Sequence, residues 1–182
     1  MSIRKAYKEL KLVFPTEKYK GQMEEYLQEH FANNEYDLAG DGGLDTIKDF
    51  DKWLYKVRND VSEETIEKGQ VTSTLFLAVR KSDDKVIGTL QIRHFLSEWC
   101  IANSGHIGDG VRPSERRKGY ASEMIRLALK ECKKLGIYDV LMICNKNNIG
   151  SAKSIKNNGG ILQDEILVEN GNINQRYRIN LK

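Results

Sequence analysis

GHIGDGVRPSERRKGYASEMIRLA, Gly105 to Ala128, holds a glycine-punctuated run, a charged bend and the opening of a helix. A helix N-terminus leaves four backbone N–H groups without intrahelical acceptors, and a glycine just ahead of it lets a ligand come close to them. The bend carries Arg116, Arg117 and Lys118 in succession, with Glu115 as the only acid before the helix. A di- or triphosphate would therefore meet amide donors and positive charge together. A solvated basic turn has the same composition, so the bend alone leaves both readings open. Beyond it, Met124, Ile125, Leu127, Ala128 and Leu129 recur at helical spacing.

A second block follows at Val140 to Cys144, VLMIC, a short continuous apolar run of the kind expected of a parallel strand buried on both faces. Next comes a segment in which Asn148 suits a helix N-cap and Gly159 a helix stop.

Arg116-x-x-Gly119-x-Ala121 resembles the Arg/Gln-x-x-Gly-x-Gly/Ala loop of the GNAT acyltransferases, which wraps the pyrophosphate of acetyl-coenzyme A. Asn148 and Ser151 resemble that family's Asn-x-x-Ser helix start, in which the Asn contacts the pantetheine arm; capping and cofactor contact can coexist there. The resemblance implies cofactor contacts at Val111, Arg112, Arg116, Arg117, Lys118, Gly119, Tyr120, Ala121, Asn148 and Ser151. It also implies that a backbone N–H near Val111 meets the thioester carbonyl oxygen as an oxyanion donor. The chain departs from the family at Ile155, where many members carry a Tyr that protonates the leaving thiolate. Either another group or water does so here, or the chain belongs to a branch without that Tyr, as the ribosomal-protein N-terminal acetyltransferases often are. GGLD at 42–45, IRH at 92–94 and the run from Gly105 to Ala121 are similar to an uncharacterised bacterial branch of acetyltransferases, in which Asp109 takes the place of a frequent Tyr.

The 182 residues fit one domain, 1–182, and 40% apolar content is enough for a sizeable core. No run approaches the roughly 18 apolar residues of a membrane span, and MSIRKAYKEL lacks a signal-peptide core, so a cytoplasmic protein with no membrane partner is expected. Cys100, Cys132 and Cys144 are odd in number and lack CxxC spacing, which predicts reduced thiols and no metal site. Residues 110–182 hold 14 Lys/Arg against 7 Asp/Glu, whereas residues 1–109 hold 15 against 19. The cofactor half is basic and the other half mildly acidic. The basic residues are accounted for by the bend and by exposed helix faces, so no nucleic acid is expected.

Along the chain, Leu10 to Phe14 reads as a strand stopped by Pro15. Thr16 caps a helix to about Phe31 whose stripe is Tyr19, Met23, Tyr26, Leu27 and His30, the last read as a surface residue. After the loop from Asn33 to Leu44, Asp45 caps a second helix carrying Ile47, Phe50, Trp53, Leu54 and Val57. Thr74 to Arg80 and Val86 to Phe95 make a hairpin, a loop holds Trp99, and His106 to Arg112 is the next strand. Ile161 to Val168 and Arg176 to Ile179 close the chain as a hairpin. This order is that of the GNAT fold, an α/β (α+β) domain with a mixed central sheet of about six to seven strands and about four helices.

The resemblance implies an N-acetyltransferase with acetyl-CoA as cosubstrate, in which an amine attacks directly in a ternary complex. His106 is the leading base, since an imidazole of pKa about 6.5 accepts a proton at neutral pH; a hydrogen-bonded structural role is its alternative. Asp109 and His94 follow as catalytic candidates. Gly108 and Gly110 suit either a strand edge approached by the cofactor or tight packing. Glu35, Asp37 and Asp41 border the acceptor cleft in this fold and would attract a cationic amine, unless they are merely solvated; their spacing fits no calcium loop. The expected acceptor is a small amine or a peptide N-terminus, with homodimerisation left open. A coenzyme A-binding sensor or interaction module without catalysis is the alternative, supported by Ile155 alone.

Overall fold

A computed structural model describes residues 9–182; most of the N-terminal segment read for a signal peptide lies outside the described residues. Strands β1 (Leu10–Val13), β2 (Ser73–Arg80), β3 (Val86–Arg93) and β4 (Ile107–Val111) form an antiparallel sheet in that order. Strands β5 (Asp139–Asn145), β6 (Ile161–Leu167) and β7 (Ile173–Asn180) form a second sheet in the order β5-β7-β6. The helices are α1 (Lys20–Ala32), α2 (Leu44–Ile47), α3 (Phe50–Asn59), α4 (Glu98–Asn103), α5 (Tyr120–Lys134) and α6 (Ile149–Asn157).

Period-two alternation in β2 sends its side chains into two cores. Leu75, Leu77 and Val79 pack with Met23, Tyr26 and Leu27 of α1 and with Phe50, Trp53, Leu54 and Val57 of α3. Phe76 and Ala78 join the second core, where Met124, Ile125, Ala128, Leu129 and Cys132 of α5 lie against residues of both sheets, among them Leu90 and Ile107 on one side and Val140 and Met142 on the other. Each large side chain buried there contributes about 1.5–3 kcal/mol. The α5 stripe therefore holds the two sheets together without a continuous ladder between them.

Several elements differ from the sequence expectation. The sheet is split: β5 ladders antiparallel to β7, and toward β4 it makes only an isolated bridge between Gly105 and Met142. Val140, Leu141, Met142 and Cys144 are buried as expected, but the strand ladders with β7 instead of a parallel neighbour, and only Val140, Met142 and Cys144 of the four join the α5 core. The expected second helix is two, because Lys48 adopts a left-handed φ of 55°; Asp49, not Asp45, caps the longer one by accepting from the Lys52 amide. Thr16 precedes a 3-10 turn, Glu17–Tyr19, before α1 begins. Trp99 sits in α4, capped by Ser97, where a loop was expected. His30, read as a surface residue, is 2% exposed, with its ring edge-on to Tyr26.

The loop between α1 and α2 lies directly on β4. A side chain at Gly40, whose φ is +71°, would come within 2.2 Å of the Gly108 carbonyl oxygen, and one at Gly110 would meet the Ala39 carbonyl and the Tyr26 hydroxyl. Gly40→Ala should therefore cost well over ~2 kcal/mol, combining left-handed strain with a backbone collision. Gly171→Ala shares the positive φ but meets nothing within 4 Å, and should cost about 1 kcal/mol. Thermal unfolding of the two variants checks this ordering; equal melting temperatures would mean that the loop does not rest on β4.

Candidate active site

The site is built where β4 parts from β5. The Arg112 amide donates to Ile87 O, and this fixes the alternation along β4 so that the amides of Asp109 and Val111 point away from β3. Neither amide has an acceptor among the described residues. On the facing strand, the Lys146 amide bond to Ile173 O sets the same alternation and turns the backbone of Ile143 toward the gap. Two strand edges with unpaired polar groups thus line an opening that an extended amide-bearing chain can pair with.

His106 closes one end of this opening. Its amide donates to Leu141 O at 2.8 Å, and its Nδ1 accepts from the Leu141 amide at 3.0 Å, so Nε2 carries the ring proton. Burial drives its pKa down to about 4, and the imidazole is neutral. Asp109 lies further along β4 on the α5 side, with no hydrogen-bond partner for its carboxyl among the described residues, and burial pushes its pKa up to about 6. The neighbouring Cys144 thiol is raised mainly by burial and further by the Asp109 charge, while the Ser151 side chain hydrogen-bonds it. His94 stands apart, with Nε2 on the Thr74 hydroxyl at 2.8 Å and a pKa lowered by burial.

The charged bend lies at the other end. Arg117, with φ +64°, and Gly119, with φ +87°, are both left-handed, and the amides of residues 117–122 have no acceptor among the described residues. A non-glycine residue in this region costs about 1–3 kcal/mol, and such strain concentrates at ligand sites. The side chains are mostly spent elsewhere. Arg116 makes a bidentate pair with Glu35, both contacts at 2.6 Å, and its Nε donates to Val111 O. Lys118 joins Arg80 and Lys85 on the buried Glu115, whose pKa these cations hold at about 2 against the opposing effect of burial. Tyr120 is buried with its hydroxyl between Arg80 and Glu9. Arg112, expected to meet the cofactor, is 3% exposed and faces Glu29, the Gln22 carbonyl and the Tyr26 ring, where it braces α1. Ala121 is half-buried in the first turn of α5.

Asn148 caps α6 by accepting from the Ser151 amide at 3.0 Å. Ile155 is fully buried and apolar, so no proton donor stands at that point of α6. The acidic loop is not the free cation trap expected. Glu35 is held at about 2 by Arg116 first, then by His30 and Asn33; Asp41 is 4% exposed and accepts from the Gly43 and Asp45 amides; only Asp37 is exposed. Among the described residues no group of His, Cys, Asp and Glu is arranged to hold a metal, and no helix is long and apolar enough to cross a membrane.

The family model described as the acetyltransferase (GNAT) family matches residues 44–159, more than half of the chain. The chain belongs to the GNAT family. No curated protein matches. Solved structures match over nearly the whole length. The microcin C7 self-immunity acetyltransferase MccE, solved with acetyl-CoA and AMP, is 16% identical, covers 97% of this chain and 94% of its own, and has a TM-score of 0.71. The ribosomal L7/L12 α-N-protein acetyltransferase RimL, solved with coenzyme A, is 15% identical with coverages of 96% and 95% and a TM-score of 0.69. The Vibrio cholerae spermidine/spermine N-acetyltransferase SpeG, in mutant forms, is 13% identical with coverages of 95% and 94% and a TM-score of 0.66. At these identities the likeness is one of fold. While the side chains of Arg116 and Lys118 are paired within the protein, the charged bend of this chain offers backbone amides as anion donors. Gly119→Val, which blocks approach to them, should weaken coenzyme A binding at least tenfold, and Lys118→Ala less than threefold, because that charge is exposed and already paired. Isothermal calorimetry with coenzyme A measures both; equal losses would make the bend a charged turn only.

Proposed function

We propose that the protein is an acetyl-CoA-dependent N-acetyltransferase that transfers the acetyl group to a primary amine, a small molecule or a peptide N-terminus, by direct attack in a ternary complex. The observation that carries this reading is the gap between β4 and β5, where among the described residues no acceptor meets the Asp109 and Val111 amides on one edge or the amides of residues 117–122 at its end. The loop amides would hold the pyrophosphate of the cosubstrate, and Asn148 and Ser151 would border the pantetheine. The Val111 amide would donate to the thioester carbonyl oxygen as negative charge develops there.

The amine must lose a proton to attack. Asp109 is the base in this reading, in place of His106. A carboxylate of pKa about 6 is ionised at neutral pH and still basic enough to take the proton, whereas His106 has its Nδ1 committed to the Leu141 amide. His94 is tied to Thr74 on another part of the sheet. With Ile155 apolar, the departing thiolate takes its proton from water. A cationic polyamine acceptor loses its support, since Glu35 and Asp41 are already satisfied within the protein. The burial of Ile155 favours one other reading, a coenzyme A-binding module without turnover.

Thiol release from acetyl-CoA against a panel of primary amines separates the two readings. Turnover should appear, with kcat/KM rising as pH rises through about 6, where Asp109 ionises, and levelling above. Asp109→Asn should lower kcat roughly 10²-fold or more, while His106→Gln should keep the inflection. Coenzyme A binding with no amine turned over would establish the module; an Asp109→Asn enzyme within threefold of the parent would remove Asp109 as the base.

A further inference from the structure

Arg93, at the end of β3, is a half-buried cation without a counter-ion. Its guanidinium donates to the Gly105 carbonyl and to Gln91 Oε1, both at a long 3.3 Å, and pairs with no Asp or Glu among the described residues. Other arginines of the protein are matched: Arg80 with Asp83 and Glu115, Arg112 with Glu29, Arg116 with Glu35 and Arg176 with Asp164. Among the described arginines only Arg117 shares this lack, and it is exposed on the phosphate loop. Withdrawing a guanidinium from water without a carboxylate is unfavourable unless a partner arrives. Burial accordingly lowers the Arg93 pKa, and the group remains charged.

Its position points to the partner. Ser73, Gln91 and Arg93 share the sheet face that carries α1 and α3, opposite the face covered by α5. Arg93 NH1 stands 3.7 Å from where a Gly108 side chain would begin, at the margin of the loop that rests on β4. From Gly108 to Val111 is three strand residues, roughly 10 Å. A carboxylate on Arg93 and an amine facing the carbonyl held at Val111 each occupy about 3 Å of that span, which leaves a few ångströms between amine and carboxylate.

We propose that Arg93 is the acceptor-recognition cation of this site, taking a carboxylate that the acceptor carries a few bonds from its primary amine, as in an α-amino acid or a peptide whose first residue is acidic. The assignment rests on the N-acetyltransferase reading for its chemistry, but it is a statement about binding and is tested as one. A planar guanidinium pairs bidentately with a carboxylate, so an isosteric amide is a stringent control.

Two matched pairs serve as probes: Asp-Ala-amide against Asn-Ala-amide, and free alanine against alaninamide. The first pair tests a peptide source of the carboxylate and the second a free amino acid. Affinity is measured by calorimetry on the full chain saturated with coenzyme A, and KM by thiol release. In at least one pair the carboxylate member should bind ten times more tightly or better; Arg93→Gln should abolish that ratio, and Arg93→Lys should retain part of it. Equal affinities within both pairs for the parent protein would overturn the proposal without recourse to a variant, as would a preference that survives in Arg93→Gln. If the preference is present in binding but no probe or other amine is turned over, the acetyltransferase reading fails while the Arg93 site stands.

Discussion

Everything at the candidate site depends on one pair of hydrogen bonds, between His106 and the backbone of Leu141. Above this clasp the two strands belong to different sheets, and the polar edges that would ordinarily satisfy each other are left free. Exposing such edges is tolerable only if water or a ligand reaches them, and it requires another source of cohesion. The α5 stripe supplies that cohesion by packing on both sheets at once. A histidine suits the clasp because a neutral ring offers an acceptor at Nδ1 for the amide of the opposite strand. Its low pKa follows from burial and then from the Arg178 charge, and with Nδ1 committed to the Leu141 amide the ring is disqualified as a solvent-exchanging base.

Glycines on β4 gain a second meaning from the loop between α1 and α2. Their absent side chains admit the backbone of Ala39 and Gly40, so one face of the strand is filled by protein while its edge remains open. In the proposed function this leaves the acceptor the margin of that loop, where Arg93 stands. Gly108 and Gly110 read equally well as a cofactor edge or as close packing from sequence; the packing is what their vanished Cβ atoms accommodate, and the edge is set by hydrogen-bond alternation instead.

Much of the architecture was legible in local patterns. The stripe of α5, the β2–β3 hairpin and the Asn148 cap are consequences of neighbouring residues, and they fell where periodicity, turn composition and capping chemistry put them. What escaped was decided by contacts distant in sequence. The break between α2 and α3 turns on a left-handed Lys48, which carries no glycine signal; the α4 helix is short enough that Ser97 was its only sign; and the burial of His30 requires Glu35 and Tyr26 to close around it. At the site, the loop Arg116 to Ala121 was visible as a motif, but the partners of its side chains were not. Nor was the isolation of Arg93, since a missing counter-ion becomes evident only once the partners of the other described arginines are in place.

The bidentate contact of Arg116 with Glu35 changes how the phosphate loop should be understood. Both side chains are partly exposed, so the pair alone stabilises the fold by only about 1 kcal/mol or less. Its geometry matters more: Glu35 also accepts from His30 at the C-terminal end of α1, while Arg116 reaches back to the carbonyl of Val111. The loop bearing Gly40, the end of β4 and the bend before α5 are thus tied at one point. Arg116 is here a strut between the loop after α1 and the bend before α5. In the proposed function the pyrophosphate contact then falls on the amides beyond it, whose left-handed backbone holds them in place whether or not the Arg116 charge is available.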